Sequence, residues 1–404
     1  LSDADVAEQL ERHLNSPKQT WLLGAGISFS ANIPLMYPLT ERVLELVRAD
    51  WVEQNARLSA LDFLVQDCGE NAHIEHILTH LGDFISLADR SARKTVRVGG
   101  ADVPRDELVE VHRALVTSIS NIVRWGYVPA KKGSDGTITE PARSGKPGGA
   151  IVTIDEHLRF IEAIFARSRA GLDFVRSPVE FFTTNYDTLV EDALALKSIP
   201  YRDGFVGGGI AFWDPKADAG ALRNVRAAVT KLHGSIDWHQ SGEELGRVFR
   251  LRDGLAYPEE DGSVMIYPQA TKYINTQRDP FAHLFQSFRN RLADSNDHVC
   301  MVCGYSFGDD HIDAEIEAAM ASPGSQLTLV AFAREGGAGL PERLEAWRRN
   351  PRFGDRVFVA SQNGLYHGAG GPHFSVEGER NWWSFAGVAE LIATGLPKDI
   401  QEAI

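Results

Sequence analysis

Asn185, Asp187 and His233 are the side chains of this sequence best placed to do chemistry. The first two close the stretch FFTTNYD (181–187), where two aromatics run into short polar residues just before the helical pattern TLVEDALAL. Asp187 suits the N-cap of a helix starting near Thr188. A cap needs one such residue, which leaves Asn185, whose neutral amide can orient a water or a sugar hydroxyl. His233 lies in KLHGS (231–235), at the end of an apolar run and before a glycine. Imidazole titrates near neutral pH and so suits proton transfer; a purely structural histidine is the alternative.

Two further loops are built of small residues. Gly24-Ala25-Gly26-Ile27-Ser28 follows the apolar TWLL. Glycines there let backbone N–H groups approach a phosphate, and a helix start adds partial positive charge. The loop lacks the third glycine of the usual dinucleotide fingerprint, so a tight turn without ligand stays open. The other loop is Gly304-Tyr305-Ser306-Phe307-Gly308-Asp309-Asp310. Ser306 can donate to a phosphate or a ribose; Asp309 or Asp310 can simply cap the next helix. Polar stations at successive carboxyl ends of one parallel sheet are where open α/β folds bind ligands.

The elements that must carry these stations follow from hydrophobic period. Residues 3–14 and 38–52 read as amphipathic helices, and 55–175 is mostly helical, with AHIEHILTHLGDFISLAD, RDELVEVHRALVTSISNIVRWGY and TIDEHLRFIEAIFARSR as its clearest pieces. The stretch 130–150 is rich in Gly, Pro and Lys and is expected to be a flexible loop. After Ser177 short apolar runs alternate with helices, which implies a parallel sheet with helices on both faces. The expected class is therefore α/β, a Rossmann-like doubly wound parallel sheet with a large helical insertion. Residues 1–54 and 176–360 form the sheet domain, 55–175 the insertion, and 361–404 a C-terminal helical tail packed on the body.

Composition narrows the function. The chain has 404 residues, 43% hydrophobic and 24% charged, the balance of a soluble globular protein. A net charge of -14 repels phosphate backbones, so direct nucleic-acid binding is not expected. No apolar run is long enough to span a bilayer and no basic-then-apolar leader opens the sequence, so a cytoplasmic location is expected. Cys68, Cys300 and Cys303 are too few for a disulfide framework. Cys300 and Cys303 form a C-x-x-C inside an apolar strand pattern, where residues three apart face opposite sides. Zinc would need further ligands, so no metal is expected.

In this order the motifs resemble the sirtuin superfamily. GAGIS resembles its phosphate loop, TNYD its Gln-Asn-x-Asp motif, LHG its catalytic-histidine motif and GYS its Gly-Thr-Ser motif. The resemblance spans the first 50 residues and 178–335. It implies that Gly24, Ala25, Gly26 and Ser28 contact the pyrophosphate of NAD, and that Asn185 holds the reacting ribose and a water. Asp187 would sit near the nicotinamide amide, His233 would act as base or polariser at the ribose, and Gly304 and Ser306 would bind the adenosine side.

Departures from the deacylating members are informative. Their four-cysteine zinc module between the histidine and Gly-Thr-Ser motifs is missing, and their Asp-Phe-Arg is replaced by Leu35-Met36-Tyr37 after Asn32-Ile33-Pro34. Thr184 stands where they carry Gln. The pattern is more similar to the sirtuin-like NAD hydrolases of bacterial antiphage defence, which degrade NAD on infection. Several of these act as large oligomers, some beside a HerA-type hexameric ATPase. With no G-x-x-x-x-G-K-[ST] in this chain, such an ATPase would be a separate partner. The resemblance thus implies an NAD+ glycohydrolase with NAD as substrate, a homo-oligomer, and a possible HerA-type partner. The alternatives are an NAD-dependent protein deacylase or ADP-ribosyltransferase, a nucleotide-metabolite sensor without turnover, and a nuclease subunit working with an ATPase. The basic run within 131–146 is the one feature that favours the last.

Overall fold

The computed structural model describes residues 2–165, 178–215, 225–240, 247–252, 263–266, 280–294 and 298–401. Its centre is a nine-stranded sheet. In chain order the strands are β1 (Gln19–Leu23), β2 (Val179–Thr183), β3 (Tyr201–Arg202), β4 (Ala227–Lys231), β5 (Val299–Cys303), β6 (Thr328–Phe332), β7 (Val357–Ser361), β8 (Gly364–His367) and β9 (Gly370–His373). Their spatial order is β9-β8-β7-β6-β5-β1-β2-β4-β3. The seven from β7 to β3 run parallel, and β8 and β9 add antiparallel strands at one edge.

Near-continuous apolar runs such as WLL, VCMVC and TLVAF form strands of this kind because both faces of a parallel sheet are covered. Successive side chains diverge. Trp21, Phe181, Met301 and Val330 enter one apolar cluster with the helices Asp3–Leu14, Asp155–Phe165, Leu189–Leu196 and Phe385–Thr394. Leu22, Phe182, Val302 and Leu329 enter another with Phe281–Leu292, Asp310–Ala321 and Glu342–Arg348. Each large side chain so buried contributes roughly 1.5–3 kcal/mol. Cys300 and Cys303 fall in different clusters, on opposite faces of β5, so the two thiols do not converge on one ion. Burial pushes both thiols up to about 12.

Strand β1 is the switch point. Its neighbours are β2 on one side and β5 on the other, and the chain builds outward from each in turn. A crevice therefore opens at the carboxyl ends of β1, β2 and β5.

The helices Met36–Asp50, Asn55–Asp67, Ile74–Arg90 and Arg105–Trp125 share a third apolar cluster. Tyr186, Leu189 and Ile236 from the sheet unit also enter it. The helical block is thus packed against the loop that follows β2.

Several sequence expectations change. The stretch 130–150, expected to be a flexible loop, carries short antiparallel pairs: Lys131–Lys132 with Ile138–Glu140, and Arg143–Ser144 with Tyr127–Val128. Local hydrogen bonds replace apolar burial there, as where Asp135 Oδ1 accepts from Thr137 N at 3.0 Å. The helix Asp155–Phe165, expected within the insertion, packs instead on the sheet, with His157 and Phe385 rings 4.9 Å apart; 166–169 lies outside the described residues. The tail 361–404 is not wholly helical, since β8 and β9 precede its helices Phe385–Thr394 and Lys398–Gln401. Glycine-rich strands of four residues leave no periodic signal to read. A five-stranded sheet, Phe205–Gly207, Ile210–Trp213, Gly234–Gln240, Val248–Leu251 and Ser263–Ile266, was also not foreseen. Among the described residues no helix is long and apolar enough to cross a membrane.

Candidate active site

The two small-residue loops interlock. Gly24 N donates to Cys303 O at 3.0 Å and Gly26 N to Gly304 O at 2.8 Å. A Cβ on Gly24 would lie 2.5 Å from Gly304 O, and one on Gly304 2.5 Å from Ile27 N. Gly304 also has φ +68°, a conformation that disfavours a side chain. These glycines let the backbones after β1 and β5 meet. The N–H of Gly26 is committed to Gly304, so the first loop presents fewer free donors than its sequence suggests. Ala25–Ser28 forms a 3-10 turn.

That turn places Ser28 beneath the loop following β2. Ser28 Oγ donates to Asp187 Oδ2 at 2.8 Å and accepts from Asn185 Nδ2 at 3.0 Å. The N-cap of the helix Leu189–Leu196 is Thr188, not Asp187 as the sequence suggested; Asp187, one residue earlier, accepts from Leu189 N through Oδ1 at 3.0 Å while holding Ser28. Thr183 Oγ1 accepts from Asn185 N at 3.0 Å. Backbone and amide nitrogen of Asn185 are thereby fixed. Its Oδ1 is buried and has no hydrogen-bond partner among the described residues. Such an acceptor costs about 1–3 kcal/mol unless a ligand or water satisfies it.

His233 directly follows β4 and Leu232. Its Nε2 lies 2.9 Å from Asp309 Oδ2, with both side chains buried. Asp309 Oδ1 accepts from His311 N at 3.1 Å as the N-cap of Asp310–Ala321. Asp309 therefore does what the sequence assigned to a cap and also grips the histidine. Nearby, Tyr305 donates to Asp313 Oδ1 at 2.9 Å. Burial pushes the Asp313 carboxyl up to about 6, against the pull of Tyr305 and Arg343. Burial and the Asp313 and Asp309 carboxylates push the Tyr305 phenol up.

Two supports of the site carry no motif. Tyr186 donates to Glu75, at the start of Ile74–Arg90, and both are buried. Burial and the Glu75 charge hold the Tyr186 phenol well above its usual range. The carbonyl of Tyr186 accepts from Ile236 N at 3.0 Å and Ser235 Oγ at 3.2 Å. Lys231, buried, donates to the Asp187 carbonyl and lies 3.5 Å from Glu191 Oε1. Burial pushes the Glu191 carboxyl up. A lysine ending the apolar run AAVTK was a visible anomaly. Glu75 gave no signal, because the contact bridges 111 positions.

A cavity of about 920 Å³ opens over these groups, at the upper end of the range for ligand sites. Ala25, Gly26, Ser28, Asn185, Asp187, His233, Gly304 and Ser306 all line it; Gly24 lies behind the wall. The lining also takes Glu75, Glu156, Asp309, Arg334 and Trp383, which the sequence reading did not assign to a site.

Residues 179–352 match the family model described as the SIR2-like domain. The match spans β2 to the helix Glu342–Arg348 and supports a sirtuin-like family. SIR2-like domains use NAD, and the match is compatible with an NAD-utilising enzyme. The loop 24–28 and Trp383 fall outside it. No curated protein matches the sequence.

Proposed function

We propose that this chain hydrolyses NAD+ at its nicotinamide–ribose bond, so that NAD+ and water give nicotinamide, ADP-ribose and a proton. The observation that carries the reading is the unpartnered, buried Oδ1 of Asn185 in a cavity that His233 also lines. An amide oxygen fixed in this way can accept from a ribose hydroxyl or from the attacking water.

The residues divide the work. The turn Ala25–Ser28 and the loop with Gly304 and Ser306 form the floor for pyrophosphate and adenosine. Ser28, locked by Asn185 and Asp187, couples that floor to the reacting end. As the glycosidic bond breaks, positive charge grows on the sugar and nicotinamide leaves. His233, whose Nε2 lies 2.9 Å from Asp309 Oδ2, can take the proton that the ribose or water gives up. The Asp309 carboxylate then stabilises the imidazolium.

The motif order further supports a role in bacterial antiphage defence, in which the chain depletes cytoplasmic NAD as part of a homo-oligomer, with a HerA-type ATPase as its partner. Incubating NAD+ with the protein, alone and with such an ATPase, and separating the products tests this reading. Tight binding without nicotinamide release would favour the sensor alternative.

A further inference from the structure

We infer that the adenosine end of the cavity accepts a 2′-phosphate, so that NADP+ is a substrate beside NAD+; this rests on the dinucleotide reading above.

The direction of the ligand fixes which strand tips matter. Asn185 and His233 follow β2 and β4, on one side of β1. A dinucleotide whose pyrophosphate lies at the turn after β1 must then send its adenosine to the other side, over β5 and β6. The residues after β6 are Ala333, Arg334 and Glu335. At such a tip an acidic side chain selects the free 2′-hydroxyl, and an arginine accommodates the 2′-phosphate.

Here the acid is turned away. Glu335 Oε1 accepts from Tyr366 OH at 3.1 Å and also from Ser361 Oγ, and Glu335 does not line the cavity. Its backbone is pinned as well: Glu335 N donates to Gln362 Oε1 at 2.8 Å and Gln362 Nε2 to Glu335 O at 2.9 Å. Arg334 does line the cavity, and among the described lining residues it is the one lysine or arginine. Its guanidinium sits 4.7 Å from the centroid of the Trp383 ring, which braces the fork without occupying its donors. The side chain remains exposed, so the charge stays open to a ligand. A guanidinium pairs with phosphate through two parallel hydrogen bonds.

The rival role for this cation is the pyrophosphate itself. Adjacent strands lie about 4.8 Å apart, which puts β6 roughly 10 Å from β1. That separation suits the far side of the adenosine ribose better than the turn 24–28. The charged lining residues beside the first loop are acids: Asp187 accepts from Ser28 Oγ at 2.8 Å and Glu156 from Ser30 Oγ at 2.5 Å.

Calorimetric titration of the full chain with NAD+ and with NADP+ tests the assignment without needing turnover. The expected result is that NADP+ binds at least as tightly as NAD+. Arg334→Ala should weaken NADP+ by at least about 10-fold and NAD+ by less than about 3-fold, with Arg334→Lys between. If wild type binds NAD+ but NADP+ is at least about 10-fold weaker, the inference fails and the dinucleotide reading survives. Equal losses for both ligands in Arg334→Ala would assign the guanidinium to the pyrophosphate and overturn it too. If neither ligand binds, the dinucleotide reading itself falls.

Discussion

Asn185 Nδ2 donates to Ser28 Oγ at 3.0 Å across 157 positions of sequence, joining the loop after β2 to the turn after β1. Ser28 passes the bond on to Asp187. This relay holds one polar atom of Asn185 and leaves the other for a ligand. Asn185→Ala should therefore lower NAD+ cleavage by at least about 10²-fold, as should His233→Ala. Ser28→Ala leaves both reacting groups in place but unlocks the amide, and a smaller loss of about 10-fold is expected. Nicotinamide release under saturating NAD+ reads all three. Unchanged rates in Asn185→Ala would remove the amide from the mechanism.

Tyr186 connects the helical block to the site. Tyr186→Phe removes the donor to Glu75 and leaves a buried carboxylate short of a partner. A loss of about 1–3 kcal/mol in unfolding free energy is expected. Activity should fall further than stability predicts, because Tyr186 lies between Asn185 and Asp187. Urea titration and rate measurements on the same preparation separate the two effects. If Tyr186→Phe is fully stable and fully active, the contact carries nothing.

The glycine contacts give a matched pair of substitutions. Gly304→Ala faces both φ +68° and a Cβ 2.5 Å from Ile27 N. Gly324→Ala faces a similar φ of +76° with nothing within 4 Å. The second should cost about 1 kcal/mol for backbone strain alone, and the first at least about 3. Similar midpoints in denaturant for the two variants would show that the loops can part.

Two buried groups oppose each other in acid. Burial, helped by Arg291, pulls His298 down to about 4, while burial pushes Asp313 up to about 6. The neutral imidazole stabilises the fold fully above about pH 6.5, its ordinary value, and that stability is lost as pH falls through about 4. The Asp313 carboxyl acts in the reverse sense: its contribution is present below pH 3.8 and is lost as pH rises through about 6. Each spans about 3 kcal/mol, so between pH 4 and 6 they nearly cancel. Relative to wild type, His298→Gln should gain stability as pH falls from 7 to 4, and Asp313→Asn should lose it. Urea unfolding at successive pH values reads both slopes; parallel curves for the three proteins would refute the pairing.

Much of this was legible in the sequence, for reasons that differ by element. The helix at 3–14 was visible from its period, and Ser2 caps it in a capping box with Asp5. Strands β1, β2, β4, β5, β6 and β7 were visible as apolar runs, because parallel strands are buried on both faces. Strands β8 and β9 carry four glycines and prolines between them in GLYH and GGPH and showed no such run. Within the site, side chains placed at strand tips could be found, since position there implies a rim. Glu75 and Trp383 could not. Their place depends on tertiary packing of distant segments, which no local spacing records. Glu335 is the sharpest case: nothing in AFAREGG says which of its two charges faces the cavity.

Product analysis tests NAD+ cleavage by Asn185 and His233 most directly. NAD+ is incubated with wild type, Asn185→Ala and His233→Ala, each with and without a HerA-type ATPase, and separated by chromatography. Wild type should give nicotinamide and ADP-ribose in equal amounts in at least one condition, and either variant almost none. Intact NAD+ in every wild-type sample, or equal nicotinamide from all three proteins, would contradict this.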